Sequence, residues 1–388
     1  MTDPAIRLAL FSGNYNYVRD GANQSLNRLA EHAIRRGMQL RVYSPTTDTP
    51  AFEPVGDLIS VPSVALPFGR GEYRLATGLP ADVRADLERF APDIVHTSAP
   101  DILGHRAVSW AKRHELPVVA SVHTLFETYL AYYRAQFLEG AAVALLRHYY
   151  NRCDTLLVPS EHIADRLRGQ GIVTPIEIWS RGIDQDRFNP GKRDLVWRRS
   201  LGLVDDVPVI GYLGRLVLEK GLDMFAAAVA ELRRRGVPHQ VMVVGDGPAR
   251  AEFERALPGA AFTGFVTGDD LARAVAGFDI FLQPSVTEAF GNVTLEALAS
   301  GAPVVAADSP AAHVIVNDRS FGEIVPAYDP NAYADALQRL IESPERLTQA
   351  SRAAIARAGE FDWEAINDAV VRTWRQAVET SRARRSRG

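Results

Sequence analysis

The sequence predicts an α/β protein built from two doubly wound domains that face each other across a cleft. Short β-branched runs alternate with helical stretches in both halves, the pattern of parallel sheets joined by crossover helices. The 388 residues suit two domains at roughly 100–200 residues each. Turn-forming residues cluster between the two patterned regions, in the run SRGIDQDRFNPGKR, which places the hinge at Gly182 to Arg193. The expected division is an N-terminal domain over 1–185, a C-terminal domain over 186–365, and a final helix with a basic tail over 366–388.

AIRLALFSG (5–13) is an apolar run of strand length closed by Ser-Gly, so it reads as a buried strand. Ser25 to Gly37 has helical spacing and stops on glycine. LRVYSP (40–45), DIVHTSAP (93–100), PVVASVH (117–123) and TLLVPS (155–160) are further strands, closed by polar or turn residues. In the second half the strands are VPVIGYLG (207–214), HQVMVVGDG (239–247), FTGF (262–265), DIFLQPS (279–285) and APVVAADS (302–309). Helical segments such as Lys220 to Arg235 separate them. No short-period repeat is present, which argues against a solenoid or propeller.

Hydrophobic residues make up 47% of the chain and charged residues 23%, ordinary globular usage that excludes a disordered protein. Lys and Arg total 43 against 47 Asp and Glu, a net charge of −4, so no nucleic-acid partner is expected. The single cysteine, Cys153, excludes an intrachain disulfide and a multi-cysteine zinc site, and fits a reducing compartment. No apolar run reaches membrane-spanning length, and the start MTDPAIRLALFSG lacks a basic n-region. A cytoplasmic location is the expectation.

In doubly wound sheets ligands bind beyond the carboxyl ends of the strands, so the residues that follow each strand are the candidates. Beyond DIFLQPS lies the segment from Glu288 to Glu296, then a helix stopping at Ser300-Gly301. Gly291 lets the backbone approach a ligand, and Asn292 is expected to cap the helix, leaving free N–H groups for a phosphate. On these residues alone, a capped helix with two incidental glutamates explains the pattern equally well. Beyond VPVIGYLG comes Arg215, and Lys220 five residues later is expected to open the next helix. A guanidinium and an ammonium at a strand end suit a diphosphate, although a solvated basic pair is the commoner fate of such residues.

Gly245 and Gly247 are only a fragment of a dinucleotide fingerprint and imply no NAD; Pro248 at a helix start accounts for part of it. His123 ends PVVASVH and precedes Glu127 within an aromatic run of Phe126, Tyr129, Tyr132, Tyr133 and Phe137. A lone histidine is more often structural, but this company gives it weight; no second histidine stands at zinc-ligand spacing. The connection from Gly13 to Gln24, with Asp20-Gly21-Ala22, is long for a strand-to-helix loop. Asp184 and Asp186 have the spacing with which some sugar-transfer enzymes hold a divalent cation. Their place among hinge turn residues makes them structural, and no metal site is expected.

The run PSVTEAFGNVTLEALASGAPVVA, together with LGRLVLEKGLD, VVGDGP, FTGFV and SRGIDQDRFNP, resembles the retaining glycosyltransferases of family 4. The resemblance extends from DGANQSLNRLAEHAIRRG to the final helix, and SVHTLFETY is similar to the branch of GDP-mannose-dependent mannosyltransferases and sulfoquinovosyl- or glucosyl-lipid synthases. It implies the GT-B fold, with two Rossmann-like domains and a final helix returning to the N-terminal one. It also implies roles. Arg215 and Lys220 would hold the donor diphosphate and stabilise the departing nucleotide. Glu288 would bond hydroxyls of the donor sugar, and the amides around Phe290, Gly291, Asn292 and Val293 would lie near sugar and phosphate. Glu296 would bind the ribose hydroxyls and Phe265 pack the nucleobase. Gly214 would belong to the same donor-binding set and Gly21 abut the diphosphate. His123 would lie near the sugar C6 hydroxyl or the reacting centre, with Glu127 and Tyr129 on the acceptor side. Two departures are the Asp-Gly-Ala of the first loop, where many relatives have paired glycines, and the stretch Asp308-Ser-Pro-Ala-Ala-His313, where many are glycine-rich.

The expected activity is transfer of a hexose with retention from a nucleoside-diphosphate sugar, GDP-mannose ahead of UDP-sugars, to a lipid, lipid-linked or saccharide acceptor. Two fixed cations and a helix N-terminus can stabilise the leaving diphosphate without a metal, so no cofactor is expected. The tail arginines Arg382, Arg384, Arg385 and Arg387, and the stretch Phe126 to Tyr150 with Arg134, Arg147 and His148, suit peripheral contact with an anionic membrane. A core-packed helix and a solvated chain end explain the same residues. Three other classes compete. An epimerase of this fold needs acid/base carboxylates, for which Glu127 is the obvious candidate. A phosphorylase needs a pyridoxal-binding lysine, a context that none of Lys112, Lys192 and Lys220 has. A non-catalytic sugar-nucleotide-binding protein would keep the same ligands.

Overall fold

Most of the apolar runs become strands buried on both faces, and the residues closing them become loops at one edge of each sheet. The computed structural model describes residues 5–18, 21–65, 74–123, 139–288 and 290–386. The chain divides into two compact units, Met1–Ser180 with Glu364–Gly388, and Arg181–Trp363.

In the first unit the strands are β1 (Arg7–Phe11), β2 (Gln39–Ser44), β3 (Asp57–Ser60), β4 (Ser63–Ala65), β5 (Arg74–Ala76), β6 (Ile94–Thr97), β7 (Val118–Ser121), β8 (Thr155–Val158) and β9 (Ile176–Ile178). Seven of them form one parallel sheet in the order β3-β2-β1-β6-β7-β8-β9, while β4 and β5 pair as an antiparallel hairpin. Its helices are α1 (Gly21–Arg35), α2 (Ala81–Phe90), α3 (Ile102–Arg113), α4 (Glu139–Tyr150) and α5 (Glu161–Gly169). Helix α1 starts four residues ahead of the expected Ser25, whose hydroxyl donates to the Gly21 carbonyl at 2.7 Å and so bonds back along the helix instead of opening it.

The second unit carries β10 (Val209–Leu213), β11 (Gln240–Val244), β12 (Ala261–Gly264), β13 (Ile280–Gln283), β14 (Val304–Ala307) and β15 (Gly322–Val325). All are parallel, in the order β12-β11-β10-β13-β14-β15. This is the Rossmann order, and its switch point lies between β10 and β13, where successive crossovers leave in opposite directions and open a crevice. The unit's helices are α6 (Leu195–Ser200), α7 (Leu222–Arg234), α8 (Arg250–Ala256), α9 (Gly268–Ala276), α10 (Asn292–Ala299), α11 (Pro310–Ile315), α12 (Pro330–Ile341) and α13 (Pro344–Gly359). Side-chain caps fix several starts: Asp194, Ser309, Asp329 and Ser343 each accept an N–H from the first turn.

The last helix, α14 (Trp363–Arg385), belongs to the first unit from Glu364 onward. Its Val370, Val371, Trp374 and Val378 are buried with Leu26, Leu29 and Ala33 of α1. Asp368 accepts from His32 Nε2 at 2.7 Å and from Arg36 at 2.7 Å, and Arg35 pairs with Glu364. The tail is helical and engaged: Arg382 pairs with Asp93 at 2.9 Å and Arg385 donates to the carbonyls of His114 and Glu115. Arg387 lies outside the described residues. Among the described residues no helix is long and apolar enough to cross a membrane.

Candidate functional site

The loops after β10 and β13 are tied together, and that tie brings two of the candidate residues into contact. A short 3₁₀ turn, Leu218–Lys220, follows β10, and α7 begins at Leu222. Lys220 therefore ends this turn and does not open the helix as expected. Gly221, in the left-handed region at φ 72°, breaks the two elements apart and lies against the β13 loop, where a Cβ would come within 2.7 Å of the Pro284 carbonyl oxygen. The Thr287 hydroxyl donates to the Glu219 carbonyl at 3.3 Å and adds a second tie. As a result Lys220 Nζ lies 2.7 Å from Glu288 Oε1, with the two side chains 27% and 20% exposed. Tyr212, buried beneath them, donates from its phenol to the Arg215 carbonyl at 3.2 Å. Burial, with the charges of Glu288 and Glu219, pushes that phenol up, so it stays a neutral donor.

The Arg215 side chain is exposed and has no hydrogen-bond or ion-pair partner among the described residues. Gly214, just before it, accepts a close crossing from β11: a Cβ on Gly245 would sit 1.9 Å from the Gly214 carbonyl oxygen, at φ 138°. Gly247 meets the Leu216 carbonyl in the same way, at 2.3 Å. These two glycines serve backbone packing, which accounts for their presence without a dinucleotide fingerprint.

Helix α10 presents its start to the same crevice edge. Gly291, at φ 98°, is the cap residue, and Asn292 is the first helical residue and exposed. The expected side-chain cap by Asn292 is therefore corrected to a backbone cap at Gly291. The amides of Asn292 and Val293 have no acceptor among the described residues. The Phe290 side chain turns away into the core, edge-on to Phe361 at 6.1 Å between ring centroids. Glu296, one turn inside α10, is partly buried. Burial pushes its carboxyl up to about 7, and the charge of Arg187 opposes that shift.

Arg187 was missed from the sequence. It lies in the turn-rich run that also holds Asp184 and Asp186, donates to the Gly268 carbonyl at 3.3 Å, and has its Nε buried without a partner among the described residues. Asp184 Oδ1 accepts the Arg187 N–H at 3.2 Å, a turn bond. Phe265, directly after β12, is 76% exposed, a large apolar ring open on the surface. At the second departure from the family pattern, Ser309 caps α11 and His313 pairs with Asp308 at 2.8 Å in an exposed position.

In the first unit His123 follows β7. Its Nε2 lies 2.9 Å from Ser121 Oγ, and its ring stands edge-on to buried Trp179 at 5.3 Å. Ser121 Oγ also lies 3.0 Å from His96 Nε2, and Trp374 of α14 donates to His96 Nδ1 at 3.1 Å. Ser121 was legible in principle, since residues two apart on a strand share a face; His96 and Trp374 were not. Gly21 is the first residue of α1. Glu127 and Tyr129 lie outside the described residues, as does most of the expected aromatic stretch. Its described part, α4, buries Leu146, Tyr149 and Tyr150 and exposes Leu145, Arg147 and His148.

Two family models match, "Glycosyltransferase Family 4" over residues 19–187 and "Glycosyl transferases group 1" over residues 207–343. A GDP-mannose-dependent alpha-mannosyltransferase of Mycobacterium tuberculosis is 31% identical over 90% of this chain and 92% of its own. The chain belongs to glycosyltransferase family 4. A sulfoquinovosyl transferase of Arabidopsis thaliana is 30% identical to this family 4 chain over 75% of it and 58% of the relative. Among solved structures, the sucrose-phosphate synthase of Thermosynechococcus elongatus superposes with a TM-score of 0.76 at 21% identity, over 97% of this chain and all (100%) of its own. Anabaena HepE in complex with UDP gives a TM-score of 0.75 at 18% identity, over 96% and 100%. The fold of this family 4 glycosyltransferase is GT-B, as expected.

Proposed function

We propose that this glycosyltransferase moves a hexose with retention of configuration from a nucleoside-diphosphate sugar, with GDP-mannose the favoured donor, to a lipid, lipid-linked or saccharide acceptor, without a metal. The observation that carries the proposal is the Lys220–Glu288 pair at 2.7 Å, together with Arg215 and the first amides of α10, which have no partners among the described residues. The name of the 31% identical relative supports the donor.

Each group has a role in the proposed chemistry. Breaking the sugar–diphosphate bond develops cationic character at the anomeric carbon and negative charge on the leaving phosphate. Arg215 and Lys220 meet that negative charge, the first by a bidentate fork and the second as a point charge. The N–H groups of Asn292 and Val293 add the positive end of a helix. Glu288 accepts from hydroxyls of the sugar, Glu296 from those of the ribose, and Phe265 supplies an apolar surface for the base. His123 contacts the sugar near its C6 hydroxyl or reacting centre. With retention, the acceptor hydroxyl approaches on the face of the departing phosphate, whose oxygen takes its proton, so no carboxylate base is required.

The test uses GDP-mannose with and without a chelator, reading transfer and the anomeric configuration of the product. Chelator-insensitive transfer giving the α-linked product is expected. Complete loss of turnover on chelation, restored by manganese, would overturn metal independence, and a β-linked product would overturn retention. Appearance of a changed sugar nucleotide without acceptor would favour an epimerase.

A further inference from the structure

We propose that the C-terminal helix sets the tautomer of His123 through a hydrogen-bond chain, Trp374 to His96 to Ser121 to His123, which makes the His123 ring a hydrogen-bond donor and removes it as a general base. The role at the sugar rests on the donor-site assignment above; the chain itself stands on geometry within the first unit.

The direction of the chain follows from what each group can do. An indole N–H only donates, so in the 3.1 Å contact from Trp374 Nε1 the Nδ1 of His96 accepts. His96 is fully buried, and burial lowers its pKa to about 3, so the ring is neutral and carries one proton. With Nδ1 accepting, that proton sits on Nε2 and is donated to Ser121 Oγ at 3.0 Å. Ser121 is 2% exposed, and the other partner of its hydroxyl among the described residues is His123 Nε2 at 2.9 Å. The hydroxyl has a single proton. If His123 also donated, that proton would be left buried without an acceptor among the described residues, an arrangement folded proteins avoid. Ser121 therefore donates to His123 Nε2. Neutral His123 keeps its proton on Nδ1, and its lone pair is occupied.

Helix α14 braces the ring a second time. Trp179 stands edge-on to His123 at 5.3 Å with 75° between the planes, and its indole N–H donates to Asn367 Oδ1 at 3.3 Å. Asn367 and Trp374 lie seven positions apart on α14, both buried, so one helix face supplies both contacts. The return of the last helix to the first unit thus does more than cover the sheet. It fixes both the plane and the proton of the histidine at the end of β7. A ring whose Nε2 lone pair is held by Ser121 cannot take up the acceptor's proton there, which agrees with retention through the leaving phosphate. Trp374, His96 and Ser121 are positioning residues.

Long-range ¹H–¹⁵N correlation on the full-length protein, labelled with ¹⁵N-histidine, tests this directly. His123 and His96 are assigned by single replacement. Wild type is expected to show His123 as the Nδ1–H tautomer and His96 as the Nε2–H tautomer. Ser121→Ala should release His123 into a mixture of tautomers and lower kcat about tenfold, with the Kd for GDP unchanged. Ser121→Thr, which keeps the hydroxyl, should restore tautomer and turnover, and Trp374→Phe should give His96 both forms. A wild-type His123 in the Nε2–H form overturns the proposal, and so does a Ser121→Ala variant with the tautomer unchanged. If wild type shows the expected tautomers but GDP-mannose leaves the His123 resonances unmoved, the chain stands and its role at the donor sugar falls.

Discussion

Replacing Glu296 by Gln separates the burial of this carboxyl from its use in binding. The side chain is partly buried on α10, and burial raises its pKa from 4.5 to about 7 against the pull of Arg187. In the unfolded chain the carboxyl ionises near 4.5, whereas the native state holds its proton to about 7. Between these values the native state binds more protons, so its stability falls as pH rises. The favourable contribution is fully present below 4.5 and is lost through 7, a swing of about 3 kcal/mol at 1.36 kcal/mol per unit. The Glu296→Gln variant has no such proton, so its stability relative to wild type should improve by up to about 3 kcal/mol between pH 4.5 and pH 8. Binding should run the other way. Ribose hydroxyls donate to a carboxylate, so wild-type affinity for GDP should strengthen by roughly tenfold from pH 6 to pH 8 as the carboxyl ionises. The GDP phosphate also titrates in this range, and the variant reports that part alone. Calorimetric titration with GDP across pH 6–8 measures the difference in slope. Equal slopes for wild type and variant would refute the ribose role, and parallel stability profiles would refute the raised pKa.

Arg215→Ala should lower kcat/KM by about 10²–10³, the usual cost of one transition-state hydrogen-bond donor, with stability within about 0.5 kcal/mol of wild type because the side chain is exposed and has no partner among the described residues; a matching loss of stability would point to a structural arginine. Gly245→Ala should prevent accumulation of folded protein, since its Cβ would lie 1.9 Å from the Gly214 carbonyl oxygen at φ 138°, and a soluble variant with wild-type denaturation would contradict the close crossing. Cys153 is buried and burial pushes its thiol up to about 12, so a thiol reagent at pH 8 should label it only at the rate of unfolding; rapid labelling of native protein would contradict its placement.

The sheets were legible because each parallel strand is a short apolar run, a signal carried by consecutive residues. PVVASVH and DIFLQPS needed no knowledge of their neighbours to be read as strands; the first ends on His123 and the loop after the second holds Glu288. The helix starts were less legible. Asn292 has the chemistry of a cap, but Gly291 beside it can take φ 98° and end the loop with its backbone. The helical spacing places a start at Ser25, yet its hydroxyl bonds back to Gly21, inside a helix that is already under way. What the sequence hides most is contact between distant segments. Arg187 bears on Glu296 from 109 positions away, and Trp374 reaches His96 from 278. Such pairs leave no local pattern, since only the fold decides which strand ends and helix faces meet.

The Lys220–Glu288 pair carries one more consequence for the proposed reaction. Each charge is neutralised by the other, and both are largely withdrawn from water. A bare nucleoside diphosphate drawing on Lys220 would leave Glu288 partly buried without its cation, which is costly. A free sugar drawing on Glu288 would likewise meet a carboxylate already satisfied. Only a molecule carrying both a diphosphate and sugar hydroxyls replaces both halves of the pair at once, the phosphate taking the ammonium and the hydroxyls the carboxylate. In the proposed reaction, recognition of the two parts of the donor would thereby be coupled through one ion pair. Glu288→Gln should break that coupling, bringing the affinity for the bare nucleoside diphosphate closer to that for the sugar nucleotide while transfer falls. An unchanged ratio of the two affinities would mean that the pair opens independently of the sugar.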